Sequence, residues 1–193
     1  MKRKLRVLIA DDEAIRLLSL KAQLKSLDLD TVGEASNGLE AVELARELKP
    51  DLVIMDIKMP EMDGIEAAKI ITVERPVPIV LLTAYGEREL AERAMEAGIF
   101  AYLIKPVSEA DLLPAIMLAT SRFAEFQLLR REIDDLKEAL ETRKLVEQAK
   151  GILMQRRRLS EADAFRLMQK QSQNENKKLV EIARAIVTAD KML

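Results

Sequence analysis

Short apolar runs alternate with longer segments of helical spacing along the first two thirds of the chain. Runs at residues 7–10, 52–55, 79–82 and 101–104 are short and bounded by polar residues, as expected of strands buried on both faces. A fifth strand is predicted at 31–35, and helices are predicted at 37–48, 64–73, 87–97 and from a Ser108 N-cap onward. Five strands alternating with helices predict an α/β fold with a doubly wound parallel sheet.

Polar residues stand at the ends of the apolar runs. Asp11 and Asp12 follow the first run, Asp56 the second, Thr83 the third and Lys105 the fourth. Ligands of open α/β sheets bind at the carboxyl ends of the strands, so these side chains are expected to share one crevice. Three carboxylates repel one another and favour a hard cation such as Mg²⁺. The hydroxyl and the ammonium supply donors for a phosphoryl group, and a carboxylate acceptor would form a phosphoaspartate.

A structural explanation exists for each of these residues taken singly. An Asp at a strand end is most often a loop residue or a helix N-cap. Tyr102, within the fourth run, is equally compatible with ordinary core packing. The combination of five suitable residues at strand ends favours a site over five separate structural roles.

Residues 4 to about 122 resemble the receiver domain of two-component response regulators. The resemblance implies a flavodoxin-like (βα)₅ fold, with Asp56 as the phosphoacceptor. It also implies that Asp12 ligates Mg²⁺ directly, that Asp11 holds the metal mainly through water, and that Asp56 and the backbone carbonyl of Lys58 complete the site. A cognate sensor histidine kinase is the implied partner.

The same resemblance implies roles on the phosphoryl side of the crevice. Thr83 would donate a hydrogen bond to the phosphoryl group, Lys105 would pair with it, and Tyr102 would be the rotating switch aromatic. The Lys105–Pro106 bond matches a peptide that is usually cis in receivers, and cis bonds are largely confined to X-Pro.

Composition narrows the class of protein. The 193 residues include no Cys and no His, which disfavours thiolate metal sites, zinc enzymes and hydrolases that use a His base. No apolar run reaches the roughly 18 residues of a membrane span, and the basic N-terminus leads directly into the first strand. We therefore expect a cytoplasmic protein that is not an enzyme and has no membrane partner.

Apolar residues beyond 122 follow the four-three spacing of a coiled coil. The stripe consists of Phe126, Leu129, Ile133, Leu136 and Leu140, flanked by charged residues. It predicts a connector that pairs two chains into a homodimer, although packing against the chain's own C-terminal helices is an alternative. The predicted organisation is a receiver at 1–122, a coiled-coil connector at 123–142 and a small three-helix domain at 143–193.

The C-terminal segment is basic and helical. Residues 143–193 contain 12 Lys and Arg against 6 Asp and Glu, although the whole chain has a net charge of −2. Ser160 with Asp163 predicts a capped helix that ends near the polar stretch 171–176, and an amphipathic helix follows. This charge makes an anionic partner such as nucleic acid plausible.

Segments 144–154, 159–165 and 176–183 resemble the ANTAR domain, an RNA-binding transcription antitermination module. The resemblance implies binding of paired mRNA stem-loops. Arg158 departs from the family pattern, because Gly often occupies its position. The polar 171–173 stretch is a second departure.

Several C-terminal residues are candidates for RNA contact. They are Lys150, Gly151, Arg156, Arg157, Arg158 and Lys177. The basic side chains suit phosphates, although for any single one a solvated surface charge is the favoured explanation. Gly151 costs a helix about 1 kcal/mol relative to Ala, which predicts a close approach of either RNA backbone or another helix.

Together these features predict a response regulator. A histidine kinase would phosphorylate Asp56, and phosphorylation would promote dimerisation and the binding of mRNA stem-loops, which causes transcription antitermination. The alternative is a response regulator whose helical output binds DNA or a protein. A metal-dependent phosphatase built on the same crevice would need a leaving-group acid that the sequence does not supply.

Overall fold

The chain divides into two compact units. A computed structural model describes residues 3–84, 99 and 101–190. The predicted helix at 87–97 lies outside the described residues. The N-terminal unit comprises Met1–Gln127 and the C-terminal unit Leu128–Leu193.

Five parallel strands form a single sheet in the N-terminal unit. They are β1 (Arg6–Ala10), β2 (Asp30–Ala35), β3 (Leu52–Asp56), β4 (Ile79–Thr83) and β5 (Ala101–Ile104), in the order β2-β1-β3-β4-β5. The chain adds β2 on one side of β1 and β3 on the other, so the strand order reverses between β1 and β3. Such a switch point opens a crevice at the carboxyl ends of the strands. The predicted doubly wound, flavodoxin-like sheet is confirmed.

Helices cover both faces of this sheet. Leu8 and Ala10 of β1 pack on the side of α2 (Gly38–Leu48) and α3 (Gly64–Glu74). Val7 and Ile9 pack on the side of α1 (Ala14–Ser26) and the start of α4 (Glu109–Arg157). Alternate residues thus enter opposite cores, which explains why the run is apolar without interruption.

The starts of three predicted helices are confirmed by their caps. The side chains of Asn37 and Asp63 accept hydrogen bonds from the third residues of α2 and α3, so Asn37 is the cap and not the first helical residue. At α4, the Ser108 amide and hydroxyl donate to Asp111 Oδ2 at 3.1 and 2.6 Å. These bonds satisfy polar groups that the first helical turn leaves unpaired.

The expectation that the fourth apolar run is buried on both faces is wrong. β5 is the edge strand of the sheet, and Tyr102 and Ile104 are 47% and 48% exposed. Ala101 and Leu103 pack into the core on the α4 side. The run is therefore apolar throughout although only one face is buried.

Helix α4 passes through the predicted domain boundary without a break. Leu112, Ile116 and Ala119 of its first turns are buried in the N-terminal core. The helix continues to Arg157, so the predicted connector at 123–142 is an internal part of it. The boundaries 1–122, 123–142 and 143–193 remain predictions.

The C-terminal unit is a small helical core. The end of α4 packs with α5 (Glu161–Glu175) and α6 (Leu179–Asp190). The buried apolar residues are Ala149, Leu153, Ala164, Met168, Ile182 and Ala183. The side chain of Ser160 accepts from the Asp163 amide, as the capping pattern predicted, and α5 continues through 171–175 to a left-handed Asn176.

One helix among the described residues, α4, is long and apolar enough over part of its length to pass a composition test for a membrane span. A single helix of this kind is weak evidence, because buried core helices pass the same test. The first turns of α4 do contribute to the core of the N-terminal unit.

Arg158 is strained in a way that its sequence neighbours are not. It follows the last residue of α4 with φ of 52°, in the left-handed region that favours Gly. The departure from the ANTAR pattern therefore falls where the backbone itself favours Gly.

We predict that Arg158→Gly stabilises the protein by about 0.5–1 kcal/mol, since relief of the left-handed strain exceeds the added entropy of the unfolded chain. Thermal unfolding should show a midpoint roughly 2 °C higher. The control is Arg157→Gly, one residue earlier in the helix, which should lose about 1 kcal/mol. An unchanged or lower midpoint for Arg158→Gly would contradict the strain.

Candidate functional site

Three carboxylates gather at the carboxyl ends of β1 and β3. Asp11 and Asp56 are 1% and 5% exposed, whereas Asp12 is exposed. One oxygen from each of the three lies within 4.8 Å of the others. Carboxylate oxygens at this spacing are the donor set that a hard divalent cation prefers, so the residues fit Mg²⁺. We call this cluster the acidic crevice.

The backbone around β3 brings Asp56 close to the start of α3. A Cβ added to Gly64 would lie 2.0 Å from the Asp56 carbonyl oxygen, so no larger residue fits without movement. The Gly64 amide donates to the Ile57 carbonyl at 2.8 Å. Gly64 thereby lets the loop after Asp56 fold tightly over the strand end.

Lys105 neutralises two of the carboxylates. Its Nζ lies 2.8 Å from Asp11 Oδ2 and 2.8 Å from Asp56 Oδ2. Its backbone amide donates to the Thr83 carbonyl at 2.8 Å, which extends the pairing of β4 with β5. Thr83 is 6% exposed at the end of β4, and its hydroxyl donates to the Ala84 carbonyl at 3.3 Å.

Arg16 is a second cation at the acidic crevice, and the sequence interpretation missed it. Its Nη1 lies 3.5 Å from Asp11 Oδ1 and 3.9 Å from Asp56 Oδ2, and its Nη2 lies 2.7 Å from Glu13 Oε1. The available signal was its place in the first turn of α1, directly after the acidic residues. Helical spacing alone does not show which way that turn faces.

Burial dominates the electrostatics of Asp56. Desolvation raises the pKa of its carboxyl above the usual value, and the neighbouring charge of Asp11 adds to the rise. The hydrogen bond and positive charge of Lys105 lower the pKa and oppose this effect. Asp56 is thus a carboxylate that gains from any further cation in the crevice.

Two further residues predicted for the site, Lys58 and Tyr102, are not among the side chains that meet in the acidic crevice as described. Lys58 is exposed in the loop after β3, and Tyr102 is half exposed on β5. The Lys105–Pro106 peptide bond is cis, as predicted.

Lys150 is the least available of the candidate RNA-contacting residues. It is 8% exposed, and its Nζ lies 2.8 Å from Glu147 Oε1 and 2.7 Å from Glu161 Oε1. The hydrogen bonds with these two carboxylates raise the pKa of Lys150. Since its charge is already neutralised, the geometry favours a structural tie between α4 and the start of α5.

The remaining candidates lie on the surface of the C-terminal unit. Arg157 and Arg158 are exposed, Arg156 Nε lies 2.6 Å from Asp190 Oδ1, and Lys177 Nζ lies 2.7 Å from Glu175 Oε2. No described atom outside its own helix lies within 4 Å of the position that a Cβ on Gly151 would take. Close packing of another helix is therefore not the reason for this Gly.

Two family models match the chain. The response regulator receiver domain matches residues 7–117, and the ANTAR domain matches residues 134–187. The chain belongs to the response regulators. The N-terminal unit of this response regulator is its receiver domain, and its output is an ANTAR domain.

Known proteins resemble this response regulator over nearly its whole length or over its N-terminal part. The transcriptional regulatory protein PdtaR of Mycobacterium tuberculosis (strain ATCC 25618 / H37Rv) is 50% identical over 182 residues, which cover 94% of this chain and 89% of PdtaR. The signal receiver domain of a modulated diguanylate cyclase from Desulfovibrio desulfuricans G20 is 33% identical with a TM-score of 0.59, covering 63% of this chain and 98% of that one. The CheX-CheY-BeF3-Mg+2 complex from Borrelia burgdorferi gives 28% identity and a TM-score of 0.56, covering 58% and 87%.

We predict that Asp56→Asn makes the response regulator more stable at neutral pH in the absence of divalent cations. A carboxyl whose pKa is raised by folding makes the folded protein less stable as the pH rises. The loss begins near the pKa of the unfolded chain, about 4, and is complete above the pKa of the folded protein. Solvent screening at the mouth of the crevice limits the gain to at most ~1 kcal/mol.

Thermal unfolding of both proteins from pH 3.5 to pH 7.5 measures this difference. The stability advantage of the variant should grow with pH and shrink when Mg²⁺ is added. A variant that is less stable at every pH would show that the pairing of Asp56 with Lys105 outweighs the cost of its burial.

Proposed function

We propose that the acidic crevice binds Mg²⁺ and that Asp56 accepts a phosphoryl group there. The observation that carries this proposal is the convergence of Asp11, Asp12, Asp56 and Lys105 at the switch point of the sheet. Asp12 and Asp56 would ligate the metal directly, Asp11 mainly through water, and Lys58 through its backbone carbonyl. When bound, Mg²⁺ would supply charge neutralisation for the carboxylates and the incoming phosphoryl oxygens.

Phosphorylation by a sensor histidine kinase would transfer one phosphoryl group from a kinase histidine to Asp56. A carboxylate oxygen of Asp56 forms a bond to phosphorus while the bond from phosphorus to the imidazole nitrogen of the kinase phosphohistidine breaks. The imidazole leaves with the electron pair of that bond and the product is an acyl phosphate. Lys105, already 2.8 Å from Asp56 Oδ2, offsets the added charge.

Thr83 and Tyr102 report the phosphoryl group to the rest of the receiver. The Thr83 hydroxyl, at the end of β4, would turn from its own backbone to a phosphoryl oxygen. Tyr102 is half exposed on β5, so it has room to change rotamer. Phosphorylation then shifts the balance between two receiver populations by the difference in free energy that these contacts make.

The coiled-coil stripe on α4 pairs two chains. Its five residues, Phe126, Leu129, Ile133, Leu136 and Leu140, are 45–64% exposed. Exposure at this level favours pairing with a second copy over the intramolecular alternative. Two heptads form a weak dimer, so phosphorylation of the receiver would supply the additional contact.

We predict that Leu136→Glu abolishes phosphorylation-dependent dimerisation, because it places a charge in the seam of the stripe. Leu128→Glu is the matched control, since Leu128 is 65% exposed but lies off the stripe. Sedimentation equilibrium with Mg²⁺ and acetyl phosphate distinguishes the two. Equal dimerisation of both variants would exclude the stripe as the dimer contact.

The ANTAR output binds stem-loops of mRNA. Arg157 and Arg158 are exposed, and the predicted RNA-binding set also contains Arg156 and Lys177. A homodimer presents two output domains, so binding to paired stem-loops gains from effective concentration. Bound stem-loops would prevent formation of a terminator hairpin and cause transcription antitermination. The cytoplasmic, non-enzymatic and membrane-independent nature of the protein remains a prediction.

We predict tight binding to a paired stem-loop RNA only when Asp56 is phosphorylated. Fluorescence anisotropy should show stronger binding of wild type with acetyl phosphate and Mg²⁺ than without them, and no such gain for Asp56→Ala. Scrambled RNA and matched duplex DNA serve as the ligand controls. Preferential binding to DNA would replace the RNA assignment with the alternative of a DNA-binding output.

Gly151→Ala separates stability from RNA contact. Because no described group crowds the added methyl, the variant should gain about 1 kcal/mol in helix stability. If RNA backbone approaches this open position, the same variant should bind stem-loop RNA at least about fivefold more weakly, a cost of about 1 kcal/mol. Thermal unfolding and anisotropy on one preparation measure both effects. Unchanged RNA affinity in a stabilised variant would remove Gly151 from the RNA surface.

A further inference from the structure

Arg16 lies where a metal ion would be opposed by its charge. Its guanidinium lies 3.5 Å from Asp11 and 3.9 Å from Asp56, the two carboxylates that are nearly buried. Lys105 contacts the same two carboxylates at 2.8 Å. The crevice thus holds two cationic side chains facing three carboxylates, and a divalent ion would be a third cation in the same small volume.

The two cations differ in how firmly they are held. The Lys105 side chain is 16% exposed and bridges two carboxylates, whereas the Arg16 side chain is 44% exposed and reaches the crevice from the first turn of α1. A divalent cation held by the acidic crevice would repel both side chains. The more exposed and more distant guanidinium is the one that can yield.

Glu13 gives the guanidinium a third carboxylate partner, besides Asp11 and Asp56. Its Oε1 lies 2.7 Å from Arg16 Nη2, on the exposed side of the crevice. The Glu13 amide donates to Asp11 Oδ1 at 2.9 Å, so Glu13 is fixed beside the crevice by its own backbone. Arg16 can therefore withdraw from Asp11 and Asp56 while it keeps a carboxylate partner.

We propose that Arg16 is a resident counter-cation that competes with Mg²⁺ for the acidic crevice. This rests on the proposed function in that Mg²⁺ is taken as the ligand of the crevice. Arg16 partly neutralises Asp11 and Asp56 while the metal is absent, and it withdraws from them when the metal is bound while it keeps its contact with Glu13. Its position thereby sets the concentration of Mg²⁺ at which the receiver becomes ready for phosphoryl transfer.

Arg16→Gln tests the competition directly. Titration of the full-length chain with MgCl₂ at low salt, followed by amide chemical shifts in NMR spectra, gives the dissociation constant at the crevice. The variant should bind Mg²⁺ at least about threefold more tightly than wild type, because a positive charge that lies 3.5 Å from Asp11 and 3.9 Å from Asp56 is removed. Lys21→Gln, on the same helix, removes the same charge from a residue that pairs with Glu34, and its affinity should match wild type.

The titration distinguishes failure of the proposed role of Arg16 from failure of the magnesium site. Equal or weaker binding by Arg16→Gln, or equal tightening by Lys21→Gln, would overturn the role of Arg16 and leave the magnesium site intact. Absence of Mg²⁺-dependent shifts around Asp56 in wild type and Arg16→Gln alike would overturn the magnesium site and the competition together. Binding detected only in Arg16→Gln would support the competition in its strongest form.

The contact of the Arg16 guanidinium with Glu13 is tested by a double-mutant cycle with Glu13→Gln. Loss of the outer partner should hold Arg16 over the crevice and weaken Mg²⁺ binding. In the Arg16→Gln background that part of the effect should disappear, so the two substitutions are not additive. Additive effects of the two substitutions would show that Glu13 does not influence Mg²⁺ binding through Arg16.

Discussion

Mutual repulsion of carboxylates at the carboxyl ends of β1 and β3 is the constraint around which the receiver is organised. Asp11 and Asp56 are almost fully buried, and their negative charges are costly there unless cations accompany them. Lys105, directly after β5, contacts both carboxylates, and Arg16 of α1 lies close to Asp11. The site therefore gains from a further cation and, once that is bound, from the anion that a phosphoryl group supplies.

The sheet gives this electrostatic arrangement its precision. β1 and β3 are adjacent and buried on both faces, so Asp11 and Asp56 are carried on backbone that cannot shift independently. Gly64 allows the following loop to close over the Asp56 carbonyl. In contrast, Tyr102 lies on the edge strand with half its surface exposed. The proposed acceptor thus ends a buried strand, whereas the proposed reporter is exposed on an edge strand.

The sequence predicted those features that depend on local periodicity. Uninterrupted apolar runs identified β1, β3 and β4, and the rule that ligands bind at strand ends predicted that Asp11, Asp56 and Lys105 lie together. The burial of β5 was predicted wrongly because an apolar run does not reveal whether a strand lies at the edge of its sheet. The caps at Ser108 and Ser160 were predicted because their partners, Asp111 and Asp163, lie three residues away.

Features that depend on packing between distant segments could not be predicted from the sequence. The placement of Arg16 follows from the rotation of α1 on the sheet, and the engagement of Lys150 depends on Glu161 in the next helix. Open space around Gly151 likewise depends on how three helices meet.

The measurement that tests the central claim most directly is intact-mass analysis of the full-length chain after incubation with acetyl phosphate and Mg²⁺, followed by peptide mapping after borohydride trapping of the acyl phosphate. The account predicts the mass of one phosphoryl group on wild type, located at Asp56 and dependent on Mg²⁺. An equal mass increase in Asp56→Asn, or a modification mapped outside the acidic crevice, would contradict it.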